Sequence, residues 1–214
     1  MREPTEPQQT RRDTGPLTDK GAQRKEALLS AARTVFERRG FIETRITDIV
    51  REAGVSHGTF YTYFDTKEAV FKAVSQSVIE SMLISMGTPI PNKDFHQRIH
   101  DSVRRFVEAY RPNAKMIGLM EQVGTYSPDL RDLRLDVRET FVRRTQRGIA
   151  RMIESGHTDP DLDVEYTAES LGAMLEYICY VWFSLDREFD ENRLVDALAA
   201  IWERTLSSPR DSVD

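Results

Sequence analysis

The sequence has little that would suit an extracellular or membrane-spanning protein. Its single cysteine, Cys179, cannot form a disulfide within the chain and lies in an apolar stretch, so we expect a buried core residue. No stretch of ~20 apolar residues could span a bilayer, and the N-terminus is too polar for a secretory signal. These absences predict a cytoplasmic protein.

Motifs of catalysis and cofactor binding are also missing. The chain has no phosphate-binding loop, dinucleotide fingerprint, Gly-x-Ser-x-Gly elbow or HExxH zinc motif. His96 and His100 are four residues apart and could share a metal ion, but no third ligand lies near them in sequence. We therefore predict no enzyme, no cofactor and no metal site.

Charge is distributed unevenly along the 214 residues, whose net charge is -5. Residues 1–75 hold 13 Lys and Arg against 11 Asp and Glu, whereas residues 76–214 hold 17 against 24. The first part is therefore slightly basic and the second acidic, which favours a nucleic-acid partner for the first part. The apolar fraction of 39% suffices for a globular core.

Residues 44–68 have the pattern of a helix-turn-helix. Thr47 offers an N-cap hydroxyl to a short helix that ends at Ala53. Gly54 would reverse the chain in the left-handed conformation, and Ser56 would cap a second helix from His57 to about residue 64. Asp65 and Thr66 would then form a turn and cap the helix that starts at Lys67. An isolated AGVS tetrapeptide would indicate only a helical hairpin, but the order of cap, turn and cap favours DNA binding.

The second helix is rich in residues that form helices poorly, so a function other than helix stability is indicated. Phe60 and Phe64 lie on one face and would hold the helix against the domain. We predict that His57 and Thr59 contact base edges and that Gly58 allows close approach of the backbone. Phosphate contacts are predicted for Thr47, Ser56, Tyr61, Tyr63 and Lys67.

These residues resemble the TetR family of bacterial transcriptional regulators. The resemblance covers about residues 24–74, with AARTVFERRGF at 31–41 and AGVS-x-GTFY-x-YF-x-x-KE at 53–68. Val50 stands where many members have alanine, and Tyr63 where histidine is common. The resemblance implies an all-α fold, a dimer formed by the last two long helices and a palindromic double-stranded DNA operator.

Apolar periodicity predicts helices throughout the rest of the chain. They are expected at residues 22–39, 67–85, 93–111, 114–123, from Pro128 to the turn at 156–161, 164–185 and 192–206. Gly40 would end the first and Asn92 would cap the third. The predicted organisation is a disordered tail (1–21), a helix-turn-helix domain (22–66), a ligand-binding and dimerisation domain (67–207) and a C-terminal tail (208–214).

The resemblance also implies a central cavity among the later helices, and two further surfaces are predicted. A pocket for an apolar ligand would be lined by flexible methionines and aromatic residues, namely Met116, Met120, Phe141, Met152, Met174, Tyr177, Tyr180 and Phe183. The alternative is that these residues only fill the core. The dimer interface would use Trp182, Leu194, Leu198, Ile201 and Trp202.

The sequence therefore predicts a dimeric, ligand-responsive regulator, and a repressor released by a small apolar effector is the main hypothesis. The helix that starts at Lys67 would transmit the signal, since it links the two parts. Arg11 and Arg12 would act as a basic arm on DNA or as part of a solubilising tail. An activator, a regulator controlled by a protein partner, and an enzyme or carrier using the cavity are the alternatives.

Overall fold

The computed structural model describes residues 19–87, 94–124 and 128–207. Within these ranges the chain forms nine α-helices, one short 3-10 helix and no strand, so the predicted all-α fold is confirmed. The helices are α1 Asp19–Glu43, α2 Ile46–Ala53, α3 His57–Tyr63, α4 Lys67–Met86, α5 Phe95–Tyr110, α6 Ala114–Val123, α7 Pro128–Glu154, α8 Val164–Phe183 and α9 Glu191–Leu206.

Helix α1 begins three residues earlier than predicted, because Asp19 to Gly21 are helical rather than part of a tail. Gly40 interrupts the helix as expected, with φ 77° and ψ 171°, a conformation that favours glycine. The proposed tail segment 1–18, with Arg11 and Arg12, lies outside the described residues. The buried stripe of α1 includes Leu28, Ala32, Val35 and Phe36, as the periodicity predicted.

The turn between α2 and α3 has the predicted chemistry, except at its first cap. Gly54 is left-handed at φ 64°, and the Ser56 side chain accepts a hydrogen bond from the Thr59 amide at 3.1 Å. The prediction that Thr47 caps α2 is wrong. The helix starts one residue earlier, at Ile46, and the Asp48 carboxylate caps it by accepting from the Arg45 amide at 3.2 Å.

Helix α4 connects the two parts of the molecule. The Thr66 hydroxyl caps it by accepting from the Ala69 amide at 3.0 Å, as predicted. Near this end Phe71 packs edge-on against Phe36 and Phe41 of α1, at ring-centroid distances of 5.1 and 4.9 Å. Further along, Val78 and Met82 are buried among the later helices, so one continuous hydrophobic core extends from α1 to α9.

The remaining helices follow the predicted order with small shifts at their ends. Asp94 caps α5 by accepting from the Gln97 amide at 2.8 Å, and the predicted cap Asn92 lies outside the described residues. Cys179 of α8 is buried, and this burial raises the pKa of its thiol to about 12. No helix in the described part of the chain combines the length and apolarity needed to cross a bilayer.

Candidate DNA-binding surface and ligand cavity

Helix α3 presents a polar face to solvent because its aromatic face is anchored. Phe60 is fully buried and Phe64 nearly so, with ring centroids 5.8 Å apart. On the other face His57 and Gly58 are exposed, and Tyr61 keeps 44% of its surface accessible. The arrangement can place an imidazole and a phenol against a large partner without moving the helix off the core.

The hydroxyl groups around α3 are not equally available. Ser56 Oγ caps the helix and lies 3.0 Å from Thr59 Oγ1, so these two hydroxyls share one hydrogen bond. The side-chain hydroxyls of Tyr61 and Tyr63 have no hydrogen-bond partner among the residues that the structure describes. The two phenols are therefore the more available donors for phosphate oxygens.

Lys67 has a second role that the sequence did not suggest. Its ammonium group donates to the carbonyl oxygens of Phe41 at 2.8 Å and Ile42 at 3.2 Å, and lies 4.4 Å from the Phe41 ring centroid. These contacts tie the start of α4 to the end of α1. Since an ammonium has three donors, one hydrogen remains for a phosphate.

Asp48 was missed by the sequence reasoning, although its spacing carried the signal. An acidic residue three positions after the N-cap completes a capping box, and Asp48 stands three after Arg45. Its carboxylate is almost buried and also forms ion pairs with Arg39 at 2.8 Å and Arg51 at 3.2 Å. Asp48 thereby fixes α2, the helix that precedes α3, to α1.

A cavity of about 450 Å³ lies between α4, α5, α7 and α8, and α6 and α9 each contribute one residue to its wall. This volume is typical of small-molecule sites, which span roughly 300–1,000 Å³. Most of its wall is apolar, with Met82, Met86, Phe106, Phe141, Met152 and Trp202 among the lining residues.

Only two of the eight predicted lining residues, Phe141 and Met152, lie in the cavity wall. Met116 and Met120 are instead fully packed in the core on α6. The other four belong to α8 and do not line the cavity, namely Met174, Tyr177, Tyr180 and Phe183. Tyr177 is 64% exposed. The prediction failed for the α8 residues because this helix faces the cavity with Gly172, Leu175 and Glu176 instead.

An ion-pair network forms one side of the cavity. Arg138 donates to Glu169 at 3.0 Å and to Glu176 at 3.1 Å, and Arg134 pairs with Glu176 at 2.9 Å. Burial raises the pKa of Glu176, and the two arginines partly offset that rise. Arg134 also pairs with Glu121 at 2.6 Å, so the network joins two arginines to three glutamates within the protein.

Two arginines bind the C-terminal end of α4 near the cavity. Arg105 donates to the carbonyl oxygen of Met86 at 3.1 Å, and Arg144 donates to that of Gly87 at 2.6 Å. The last carbonyls of a helix have no partners within it, so guanidinium groups are suitable caps. Burial, together with nearby arginines, lowers the pKa of Arg144.

The histidine pair of α5 faces α9. His96 Nδ1 lies 3.1 Å from a Glu203 oxygen, and His100 Nε2 lies 3.0 Å from an Asp196 oxygen. The two imidazoles thus face different carboxylates. In the described ranges no group of three metal-ligating side chains converges.

The predicted dimer residues divide into two groups. Leu198 and Trp202 are buried in the single chain, which leaves little of their surface for a partner. Ile201 remains 44% exposed, whereas Trp182 and Leu194 are partly buried. The structure adds two exposed aromatic residues of α8, Tyr166 and Tyr177, which the pattern had not assigned to a surface.

Comparison with known sequences places the helix-turn-helix in a described family. Residues 28–74 match the model of bacterial regulatory proteins of the tetR family. The uncharacterized HTH-type transcriptional regulator YdgC of Bacillus subtilis is 26% identical over 172 residues, which cover 76% of this chain and 82% of YdgC. The HTH-type transcriptional regulator EthR of Mycobacterium tuberculosis is 23% identical over 190 residues, which cover 87% of this chain and 88% of EthR.

Solved structures share the whole fold at low sequence identity. GusR of Salmonella enterica has a TM-score of 0.74 at 19% identity, with 89% of this chain and 98% of GusR covered. FadR of Bacillus subtilis in complex with stearoyl-CoA has a TM-score of 0.72 at 17% identity (85% and 98% covered). A regulator from Saccharomonospora viridis in complex with choline scores 0.70 at 18% identity (87% and 99% covered).

Proposed function

Since this chain belongs to the TetR family of DNA-binding transcriptional regulators, we propose that it is a repressor that binds a palindromic operator as a dimer and that a small effector releases it. The family consists of regulators, and the chain is not an enzyme. The observation that carries the proposal is the course of α4, which begins beside α3 and ends in the cavity wall. A regulator of this kind works in the cytoplasm, where the chromosome lies.

Sequence readout is assigned to the exposed start of α3. His57 and Thr59 would contact base edges in the major groove, while Gly58 lets the backbone come close. Tyr61 and Tyr63 would donate to phosphates, since their hydroxyls have no partner in the described part of the chain. Phosphate contacts from Thr47, Ser56 and the remaining hydrogen of Lys67 complete the proposed surface.

Dimerisation is assigned to the outer surface of α8 and α9. Tyr166, Tyr177 and Ile201 are exposed there, and Trp182 and Leu194 border them. Two copies related by a two-fold axis would present two α3 helices to one face of DNA. Successive major grooves are about 34 Å apart, and the dimer must match that spacing to bind.

The effector would act by moving α4. Both ends of this helix are tied to other helices: its start through its own Lys67, which donates to the α1 carbonyls, and its end through Arg105 and Arg144. Arg33 of α1 also donates to the Pro112 carbonyl at 2.8 Å, which gives a second link between the two parts. A ligand that changes the hold on α4 would therefore change the position of α1 to α3, provided it binds the two arrangements unequally.

Ligand complexes of structural neighbours support a small-molecule effector. FadR of Bacillus subtilis was solved with stearoyl-CoA and the Saccharomonospora viridis protein with choline, so this fold accepts very different molecules. In the present chain the mainly apolar wall favours an effector with a substantial apolar part.

The test is a selection of genomic DNA fragments by the purified protein at physiological salt, followed by sequencing. We expect a palindromic motif upstream of a small set of genes. His57→Ala should alter the preferred bases, whereas the control His96→Ala, an exposed histidine of α5, should retain the same motif. Binding that is sensitive to salt but independent of sequence would contradict the proposal.

A further inference from the structure

One end of the cavity carries a row of arginines. Arg144, Arg147 and Arg151 stand at i, i+3 and i+7 on α7, so their side chains share one face of the helix, and all three line the cavity. Arg98 of α5 lines it as well. Arg147 and Arg151 are also exposed to solvent, which places them at the opening of the cavity.

No carboxylate neutralises this row within the described part of the chain. The side chain of Arg144 donates to the Gly87 carbonyl and that of Arg98 to the Asp94 carbonyl, while the side chains of Arg147 and Arg151 have neither a hydrogen bond nor an ion pair there. Two turns earlier on the same helix, Arg138 pairs with two glutamates. This stretch of the cavity wall is thus basic, whereas the wall around Arg138 carries paired charges.

Such a cluster is unfavourable in the free protein. Like charges on one helix face repel each other. Burial lowers the pKa of Arg144, and the neighbouring charges of Arg147, Arg151 and Arg105 lower it further. Guanidinium groups are the donors that bind carboxylates and phosphates in bidentate geometry. The hydroxyls of Ser102, Thr145 and Ser155 line the same cavity, but each donates its hydrogen to a backbone carbonyl, so the arginines are the donors left for an anion.

We propose that the cavity binds an anionic amphiphile, with its apolar chain inside and its phosphate or carboxylate head on Arg144, Arg147 and Arg151. The inference rests on the proposed function in taking this cavity as the effector site. It adds the sign of the charge and the position of the head group. Arg98, from the neighbouring helix, would approach the head from the other side.

The position of Arg144 gives this ligand a route to α4. Its guanidinium caps the end of α4 through the Gly87 carbonyl at 2.6 Å. An anionic head competes for the same guanidinium, and a charge-assisted hydrogen bond to an anion is stronger than one to a carbonyl. Binding of the head would therefore weaken the hold on the end of α4.

The experiment compares three probes by equilibrium dialysis below micellar concentrations: dodecyl phosphate, dodecanol and inorganic phosphate. We expect dodecyl phosphate to bind at least about tenfold more tightly than dodecanol, since charge-assisted bonds to guanidinium are worth ~1.5–3 kcal/mol. Inorganic phosphate should bind weakest, because it has no chain to bury.

A double variant and a matched control locate the head group. Arg147→Gln with Arg151→Gln should remove most of the preference for dodecyl phosphate over dodecanol, with Arg144 and Arg98 left to hold the head, and should leave dodecanol binding unchanged. The control Arg143→Gln removes an arginine of the same helix that pairs with Glu139 at 2.7 Å and does not line the cavity. It should retain the wild-type preference.

Three results would overturn the inference. These are equal affinity for dodecyl phosphate and dodecanol, inorganic phosphate binding as tightly as dodecyl phosphate, and no binding of either long-chain probe. Operator binding by the same protein tests the proposed function separately. If dodecyl phosphate binds through the arginines but operator affinity stays constant, the ligand site stands and the effector role in the proposed function fails.

Discussion

The DNA-binding end (α1 to α3) and the cavity end (α4 to α9) use their charges in opposite ways. At the DNA-binding end several arginines are paired internally, as in Arg39 and Arg51 with Asp48 or Arg38 with Glu52 at 3.0 Å. Helix α3 itself has no lysine, arginine or carboxylate and presents hydroxyls and one imidazole. At the cavity end, an acidic part of the chain holds the arginine row of α7, which has no carboxylate partner among the described residues. The anion site proposed there follows from how the arginines are paired, whereas most phosphate contacts proposed around α3 come from neutral donors.

The two ends also differ in how their structure is determined. The turn and caps around α3 depend on residues within a few positions of each other, whereas the cavity wall combines six helices that are distant in sequence. A local change should therefore damage the DNA-binding end and leave the cavity end intact. Four substitutions test this separation.

The largest effect is expected for Phe60→Ala, which removes the fully buried anchor of α3. Loss of a buried phenylalanine costs about 3–5 kcal/mol of unfolding free energy, and DNA binding should be lost with it. Urea unfolding and DNA affinity are the measurements. The control Tyr61→Ala, at the adjacent exposed position, should reduce DNA affinity with little change in stability. If Phe60→Ala lowers the free energy of unfolding by less than about 1 kcal/mol, contacts other than Phe60 anchor α3.

Gly54→Val should have the next largest effect. A β-branched residue at φ 64° is strained by about 1–3 kcal/mol, and the strain lies in the turn that orients α3. Gly156→Val is the matched control, because Gly156 has φ 76° in the turn after α7 and, like Gly54, has open space around it. Both variants should lose stability in thermal unfolding, but only the first should lose DNA affinity. Equal losses of DNA affinity would contradict the separation.

A smaller effect is expected for Ser56→Ala, which removes the N-cap of α3. Loss of an N-cap costs about 1 kcal/mol. Asp190→Ala removes the corresponding cap of α9, where the Asp190 carboxylate accepts from the Arg193 amide at 2.9 Å. In denaturation assays the two variants should have comparable stabilities. In binding assays only Ser56→Ala should have a lower DNA affinity. A DNA defect of the same size in Asp190→Ala would argue against local control.

The smallest effect is expected for Lys67→Gln. Loss of one phosphate contact should lower the slope of log affinity against log salt by about 0.9, and affinity should fall for all sequences alike. Lys115→Gln, which changes the same charge on α6, should leave the slope unchanged. A wild-type slope in Lys67→Gln would restrict Lys67 to its contacts with the carbonyls of Phe41 and Ile42.

The same contrast explains how much could be predicted from the sequence. Gly54, Ser56 and Thr66 were assigned correctly because each is determined by its near neighbours. The helices themselves were found by periodicity. The assignment of Thr47 as the cap of α2 was wrong, because Asp48 can cap the same helix start and local rules do not decide between the two residues.

The cavity was beyond this reasoning. Periodicity shows that one side of Met116 or Met120 is buried, but not which helix covers it, and a cavity depends on that choice. The arginine row had a detectable signal, because residues 141–152 hold four arginines and no acidic residue. Without the fold, that stretch is equally consistent with a solvated helix face.

The most direct test of the account is the operator affinity of Arg144→Gln compared with Arg143→Gln, measured by fluorescence anisotropy on the selected operator at one salt concentration. In the proposed mechanism, Arg144 fixes the end of α4 in the DNA-binding arrangement. Typical coupling energies then predict an affinity about 5- to 150-fold weaker than wild type for Arg144→Gln, and no change for Arg143→Gln. Wild-type affinity in both variants would contradict the claim that the cavity end controls the DNA-binding end through α4.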